Sequence, residues 1–226
     1  MKQSDIRSFD EVFPPLEASV LIKVCGITNL VDALFCAGAG VDMLGFNFYR
    51  RSPRFIEPET ARTIIDELPD SVLAVGLFVN EPGPESVAEI VRQAGVSAIQ
   101  LHGEETPDFC ARLSAWPVIK AFRVRPGFDP AEIGAYQTSA ILLDAFTIKE
   151  HGGTGHTFDW DRAKELPAAV SRLFLAGGLG ADNVAQAIAA VRPYAVDTCS
   201  RLEQRPGVKD HELVTRFVDA VHSIEK

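Results

Sequence analysis

Eight short apolar runs recur along this chain, and no other feature restricts its fold as much. They are VLIKV (20–24), DMLGF (42–46), SVLAVGLFV (71–79), SAIQL (97–101), PVIKAF (117–122), AILLD (140–144), RLFLAG (172–177) and YAVD (194–197). Each is continuously apolar or rich in β-branched residues, the pattern of a strand buried on both faces. Segments of helical period lie between them. One predicted helix opens at Asn29 and ends before Gly38; another begins at Pro58 and stops at Pro69. PESVAEIVRQAG ends on Gly95, ADNVAQAIAAV ends before Pro193, and DHELVTRFVDAVHSI closes the chain. TPDFCARLS, DPAEIGAY and DWDRAKEL predict shorter helices after the fourth, fifth and sixth strands.

Strand followed by helix, repeated, implies parallel strands joined by right-handed crossovers. Eight units in about 200 residues is the arithmetic of an α/β fold of the (β/α)8 TIM-barrel type. A flavodoxin-like sheet uses about five strands, and a dinucleotide-binding fold carries GxGxxG after its first strand. Here the first turn reads CGITN. The expectation is therefore one barrel domain over 20–226, preceded by an extension at 1–19 that is either a flexible arm or a remnant of expression.

Composition narrows the function. With 226 residues, 46% of them hydrophobic, the chain is long enough for one sizeable core or two small ones. A net charge of -9 argues against a nucleic-acid partner, which needs a basic face, though local dipoles and a few arginines still suit a small anion. No window reaches the roughly 18 uninterrupted apolar residues of a membrane span. The opening MKQSDIRSFDEVFPPLE has no apolar stretch of the secretory kind. Cys25, Cys36, Cys110 and Cys199 are scattered without a CxxC pair. That spacing suggests neither a metal site nor a disulfide framework, and it fits a reducing, cytoplasmic setting.

A barrel of this kind gathers its functional groups where strands end. The predicted exits carry Cys25, Asn47, Asn80, His102, Arg123, Asp144, Gly177, Gly178 and Asp197. Asp144 directly ends ILL and shares the face of Leu142 by the two-residue period. Lys23 shares the face of Cys25, either lending positive charge from the interior or snorkelling outward at the strand start. Gly26 and its turn are expected to aim backbone N–H groups at the Cys25 sulfur. Cys36 and Cys110 fall within helical patterns and read as core residues.

The blocks KVCGIT, GFNFYRRSPRF, GLFVN, IQLHGEE, ILLDA, GGTGHTFDW, AGGL and RPGVKD, in this order, resemble the signature blocks of phosphoribosylanthranilate isomerases. The resemblance implies a (β/α)8 barrel, no cofactor and no metal. It implies an Amadori rearrangement of a phosphorylated aminoaldose, with Cys25 as general base and Asp144 as general acid. It also implies that Arg54, in the SPR block, holds the substrate carboxylate, for which a planar guanidinium is suited. Gly177 and Gly178, after the seventh strand, together with Ser200 after the eighth, are the expected phosphate site. The glycine-rich loop with Gly152, Gly153 and Gly155 reads as a cover over the substrate. One departure is CSRLE at 199–203, where the family typically reads SSGVE, so that Arg201 replaces a glycine beside the expected phosphate. The alternatives are another phosphosugar-binding barrel, an isomerase or epimerase, and a binding barrel without catalysis. Oligomeric state is not legible.

Overall fold

The structure is a computed structural model, and it describes residues 12–13, 19–124, 127–144, 170 and 172–224. The expected lid loop with Gly152, Gly153 and Gly155, and the expected helix DWDRAKEL, lie outside the described residues, as does nearly all of 1–19.

All eight expected strands form: β1 (Leu21–Cys25), β2 (Met43–Asn47), β3 (Leu73–Phe78), β4 (Ala98–Leu101), β5 (Val118–Arg123), β6 (Ala140–Asp144), β7 (Leu173–Ala176) and β8 (Ala195–Thr198). They pair in parallel in sequence order, and β8 returns to β1 with Leu21 opposite Ala195, closing the barrel. The two-residue period divides each strand. Ile22 and Val24 of β1 pack outward with Leu44, Phe46 and Leu175 against the helices. Met43, Val75, Ile119, Leu142 and Phe174 fill the interior. Lys23 and Cys25 therefore project inward on β1, as Leu142 and Asp144 do on β6.

Six α-helices cover the barrel among the described residues: α1 (Leu30–Gly38), α2 (Pro58–Ile65), α3 (Pro84–Ala94), α4 (Pro107–Ala111), α5 (Val184–Val191) and α6 (His211–His222). Their ends follow local chemistry. Asn29 caps α1 by accepting from the Asp32 amide, and Asp210 caps α6 by accepting from two amides. The α2 and α3 helices start on prolines, and α3 stops where Gly95 turns left-handed at φ 75°. After β5 the expected α-helix is a 3-10 turn at Pro130–Ala135, where Gly134 disfavours continuation into the wider helix.

Two features lie beyond the expected pattern. A hairpin, β9 (Glu203–Arg205) with β10 (Val208–Lys209), follows β8 and turns at Gly207. From the N-terminal extension, Val12 and Phe13 are buried, Phe13 completely. Its ring meets Phe174 and Tyr194 edge to face at 5.7 and 6.4 Å, stopping the barrel at the end where the strands begin.

Candidate active site

The C-terminal strand ends open into a cleft of about 640 Å³. Cys25, Arg54, His102, Asp144, Gly177, Gly178, Asp197 and Ser200 all line it. Of the other expected exits, Asn47 lines it too. Asn80 is engaged elsewhere, accepting from the Glu104 amide, and Arg123 lines a separate cavity.

Cys25 ends β1 and is 7% exposed. It faces Gly45 across the β1–β2 ladder, where any Cβ would stand 2.7 Å from its sulfur, so the glycine is what makes room for the thiol. The expected backbone support for the sulfur is not what forms. The amides of Gly26 and Ile27 both donate to the Gly45 carbonyl, at 2.9 and 3.0 Å, because the left-handed turn at Gly26 folds them back over β2. The support comes from side chains instead. The influence of the Cys199 thiol holds Cys25 well below the ordinary thiol value, against the opposing effect of burial, and Lys23 and Lys209 add positive charge.

Lys23 lies wholly inside the barrel, settling its orientation inward, with its ammonium 3.0 Å from Asp197. Burial favours the neutral form of both partners. In the carboxyl this effect exceeds the pull of Lys23, and Asp197 is pushed up to about 6. In the lysine, Asp197 and Cys25 overcome burial and the pKa is raised. Lys209, also fully buried, reaches back from β10 to the Cys25 carbonyl at 2.6 Å and to Glu203 at 3.1 Å. Glu203 in turn accepts from Arg54 through both oxygens, with contacts of 2.6 to 3.0 Å. Burial tends to raise Glu203, but the two cations hold it below the usual carboxylate value. The same contact raises the Arg54 guanidinium.

Asp144 ends β6, three strands from Cys25 around the closed sheet. Its Oδ2 lies 3.2 Å from His102 Nε2, and His102 Nδ1 lies 2.9 Å from the Gln100 side-chain amide. On the remaining side of the cleft, Gly177 and Gly178 both turn left-handed, with φ 101° and 70°. The Asn183 side chain pins this loop by accepting from the Gly180 amide and donating to the Gly178 carbonyl. Such a loop brings backbone N–H groups near a ligand with no Cβ between. Arg201 pairs with Asp182 on the rim, both half exposed or more, and its guanidinium lies over Gly180.

Glu203, Lys209 and Cys199 are the members of this cluster to which sequence reasoning assigned no role. All three sit within CSRLE and RPGVKD, so position in those stretches was the available signal; the convergence of Glu203 and Lys209 depends on the unforeseen hairpin.

Comparison with known proteins agrees with this geometry. The sequence profile described as N-(5'phosphoribosyl)anthranilate (PRA) isomerase matches residues 22–220. The N-(5'-phosphoribosyl)anthranilate isomerase of Trichlorobacter lovleyi is 49% identical over 199 residues, covering 88% of this chain and 96% of its own. The crystal structure of phosphoribosyl anthranilate isomerase from Thermotoga maritima superposes with a TM-score of 0.78 at 40% identity, covering 90% of this chain and 99% of the other. A phosphoribosyl anthranilate isomerase in complex with reduced 1-(o-carboxyphenylamino)-1-deoxyribulose 5-phosphate superposes at 0.75 with 38% identity, covering 90% and 99%. An eight-stranded barrel, a supported thiol facing a carboxyl across its mouth and a profile match over nearly the whole barrel lead to one assignment: the chain belongs to the phosphoribosylanthranilate isomerase family.

Proposed function

We propose that the barrel mouth converts N-(5-phosphoribosyl)anthranilate to 1-(2-carboxyphenylamino)-1-deoxyribulose 5-phosphate, with Cys25 and Asp144 carrying the protons. The observation that supports this most is that a thiol favoured as its anion and a carboxyl beside an imidazole face one cleft from separated strands. Asp144 protonates the ribose ring oxygen, the ring opens, and a Schiff base to the anthranilate nitrogen forms. Cys25 thiolate takes the proton from the second sugar carbon, giving an enolamine that tautomerises to the ketone. A donor and an acceptor suffice for this scheme.

His102 and Gln100 suit the donor. When Asp144 is protonated, Nε2 can accept its proton's hydrogen bond while Nδ1–H donates to the Gln100 oxygen. When Asp144 is ionised, Nε2–H donates to it and the Gln100 amide, turned over, donates to Nδ1. Arg54 grips the anthranilate carboxylate, and the loops at Gly177, Gly178 and Ser200 take the phosphate. The product analogue bound by the 38% identical relative, a phosphate with a carboxyphenyl group, has the two anionic ends this arrangement suits. The four free thiols suit a cytoplasmic enzyme.

The test is turnover of freshly prepared phosphoribosylanthranilate, followed by the loss of anthranilate-type fluorescence. Cys25→Ser and Asp144→Asn should each abolish turnover and leave affinity for the reduced product analogue within a few fold. Near-normal turnover by either variant would remove its assigned role. No turnover by the unaltered protein would favour a binding barrel.

A further inference from the structure

We propose that Cys25 and Cys199 form an intramolecular disulfide when the protein meets a hydroperoxide, a reversible modification that closes the active site. The proposal rests on the reading of Cys25 as the base, since the disulfide would consume it.

The two residues occupy neighbouring positions at the mouth. The β1–β8 ladder ends on the pair Val24 and Thr198, and Cys25 and Cys199 follow directly, both facing the cleft. Adjacent strands run about 4.8 Å apart, within the roughly 4.4–6.8 Å that a disulfide spans between Cα atoms. Both thiols line the same cleft. Cys199 lies past the last ladder pair, so its backbone is not held by β1. Its sulfur also lies 3.7 Å from Glu203 and 3.9 Å from the Lys209 ammonium. The other two thiols differ on every count: Cys36 and Cys110 sit on α1 and α4, and burial pushes them up to about 12 and about 11. They have neither the thiolate character nor the neighbour.

The chemistry balances. Cys25 thiolate attacks one peroxide oxygen; the S–O bond forms, the O–O bond breaks, and the other oxygen leaves as hydroxide or alkoxide, giving Cys25 sulfenic acid. The Cys199 sulfur then attacks the Cys25 sulfur and expels hydroxide, which leaves as water with the Cys199 proton. The two thiols together give up two electrons and two protons. Hydrogen peroxide receives them and becomes two waters. A resolving thiol in contact with the first stops oxidation before the irreversible sulfinic step.

The experiment treats the purified full chain with hydrogen peroxide and divides it: one portion is assayed for activity, and the other is unfolded in guanidinium, its remaining thiols blocked with N-ethylmaleimide, and read by intact mass and cross-linked peptides. The expected result is a loss of about 2 Da, two blocked thiols instead of four, and a single Cys25–Cys199 cross-linked peptide. Activity should fall more than about tenfold and return with dithiothreitol. In Cys199→Ser the mass should rise by added oxygen, and with excess peroxide the lost activity should not return with dithiothreitol, measured against that variant's own starting rate. Oxygen addition without the 2 Da loss in the unaltered protein, or a cross-link through Cys36 or Cys110, would overturn the proposal. If the disulfide forms and activity persists, the disulfide stands and the base assignment of Cys25 falls.

Discussion

Arg54→Ala separates ligand recognition from scaffold. A guanidinium carries five N–H donors in a fixed fork. Glu203 engages the Nε and one Nη2 side of Arg54, at 2.8, 3.0 and 2.6 Å, which fixes the plane and leaves the Nη1 end for a ligand. The side chain is thus oriented before substrate arrives, and little ordering entropy opposes binding. Removing it also strips one partner from Glu203, but Lys209 remains 3.1 Å away and still neutralises that carboxylate. The barrel should therefore fold. Losing a charge-assisted contact to the anthranilate carboxylate should cost about 1.5–3 kcal/mol, roughly a tenfold to 150-fold rise in KM or in the Kd of the reduced product analogue. The fluorescence assay gives KM, and calorimetry with the analogue gives Kd. The deciding comparison uses an analogue lacking the carboxylate, which variant and parent should bind alike. Equal weakening of both ligands would refute carboxylate recognition and make Arg54 a structural partner of Glu203.

Iodoacetamide alkylation of Cys25 should reach half its maximal rate below the ordinary thiol pKa of about 8.5, and Cys199→Ala should move that midpoint upward, because the largest stabiliser of the thiolate is gone; an unmoved midpoint would show that the lysines alone set it. Arg201→Gly should leave KM for the phosphorylated substrate within about twofold, since Arg201 is engaged with Asp182 on the rim; a tenfold rise would make it a phosphate ligand. Phe13→Ala should cost about 3–5 kcal/mol, lowering Tm by roughly 6–20 °C with activity at 25 °C unchanged, because the fully buried ring stops the end of the barrel away from the cleft. A Tm shift under about 2 °C would mean that the segment undocks at little cost.

The barrel was legible because its signal is repeated and local. Eight strands buried on both faces must each be short and apolar, and the period of two then places Lys23 on the face of Cys25 and Asp144 on that of Leu142, although the inward direction of Lys23 came only with the structure. The contacts that tune the site were not legible, because they depend on how distant segments converge. Lys209 follows Cys25 by 184 residues yet donates to its carbonyl, and Glu203 reaches Arg54 across 149. A hairpin of three and two residues delivers both, and nothing in its own polar sequence marks it as facing inward. The turn at Gly26 misled for the opposite reason. A left-handed glycine after a strand frees amides to point somewhere, and the sequence does not say that a neighbouring carbonyl will take them.

An acidic chain that binds a substrate anionic at both ends needs a local reversal of sign, and the cluster around Cys25 provides one. Lys23, Lys209 and Arg54 contribute three cations, all buried or mostly so, against the two carboxylates of Asp197 and Glu203. Buried charge is costly unless it is matched, so the unmatched cation favours an anion at the centre of the cluster. Cys25, the proposed base, lies beside these cations, and its thiol is held well below the ordinary value. In the proposed reaction the substrate carboxylate reaches Arg54 first, and the thiolate loses its charge later, when it accepts the proton from the second sugar carbon. On that reading the excess cation stabilises the base until the proton moves and the bound substrate carboxylate throughout, and the net charge of -9 over the whole chain leaves this local field intact.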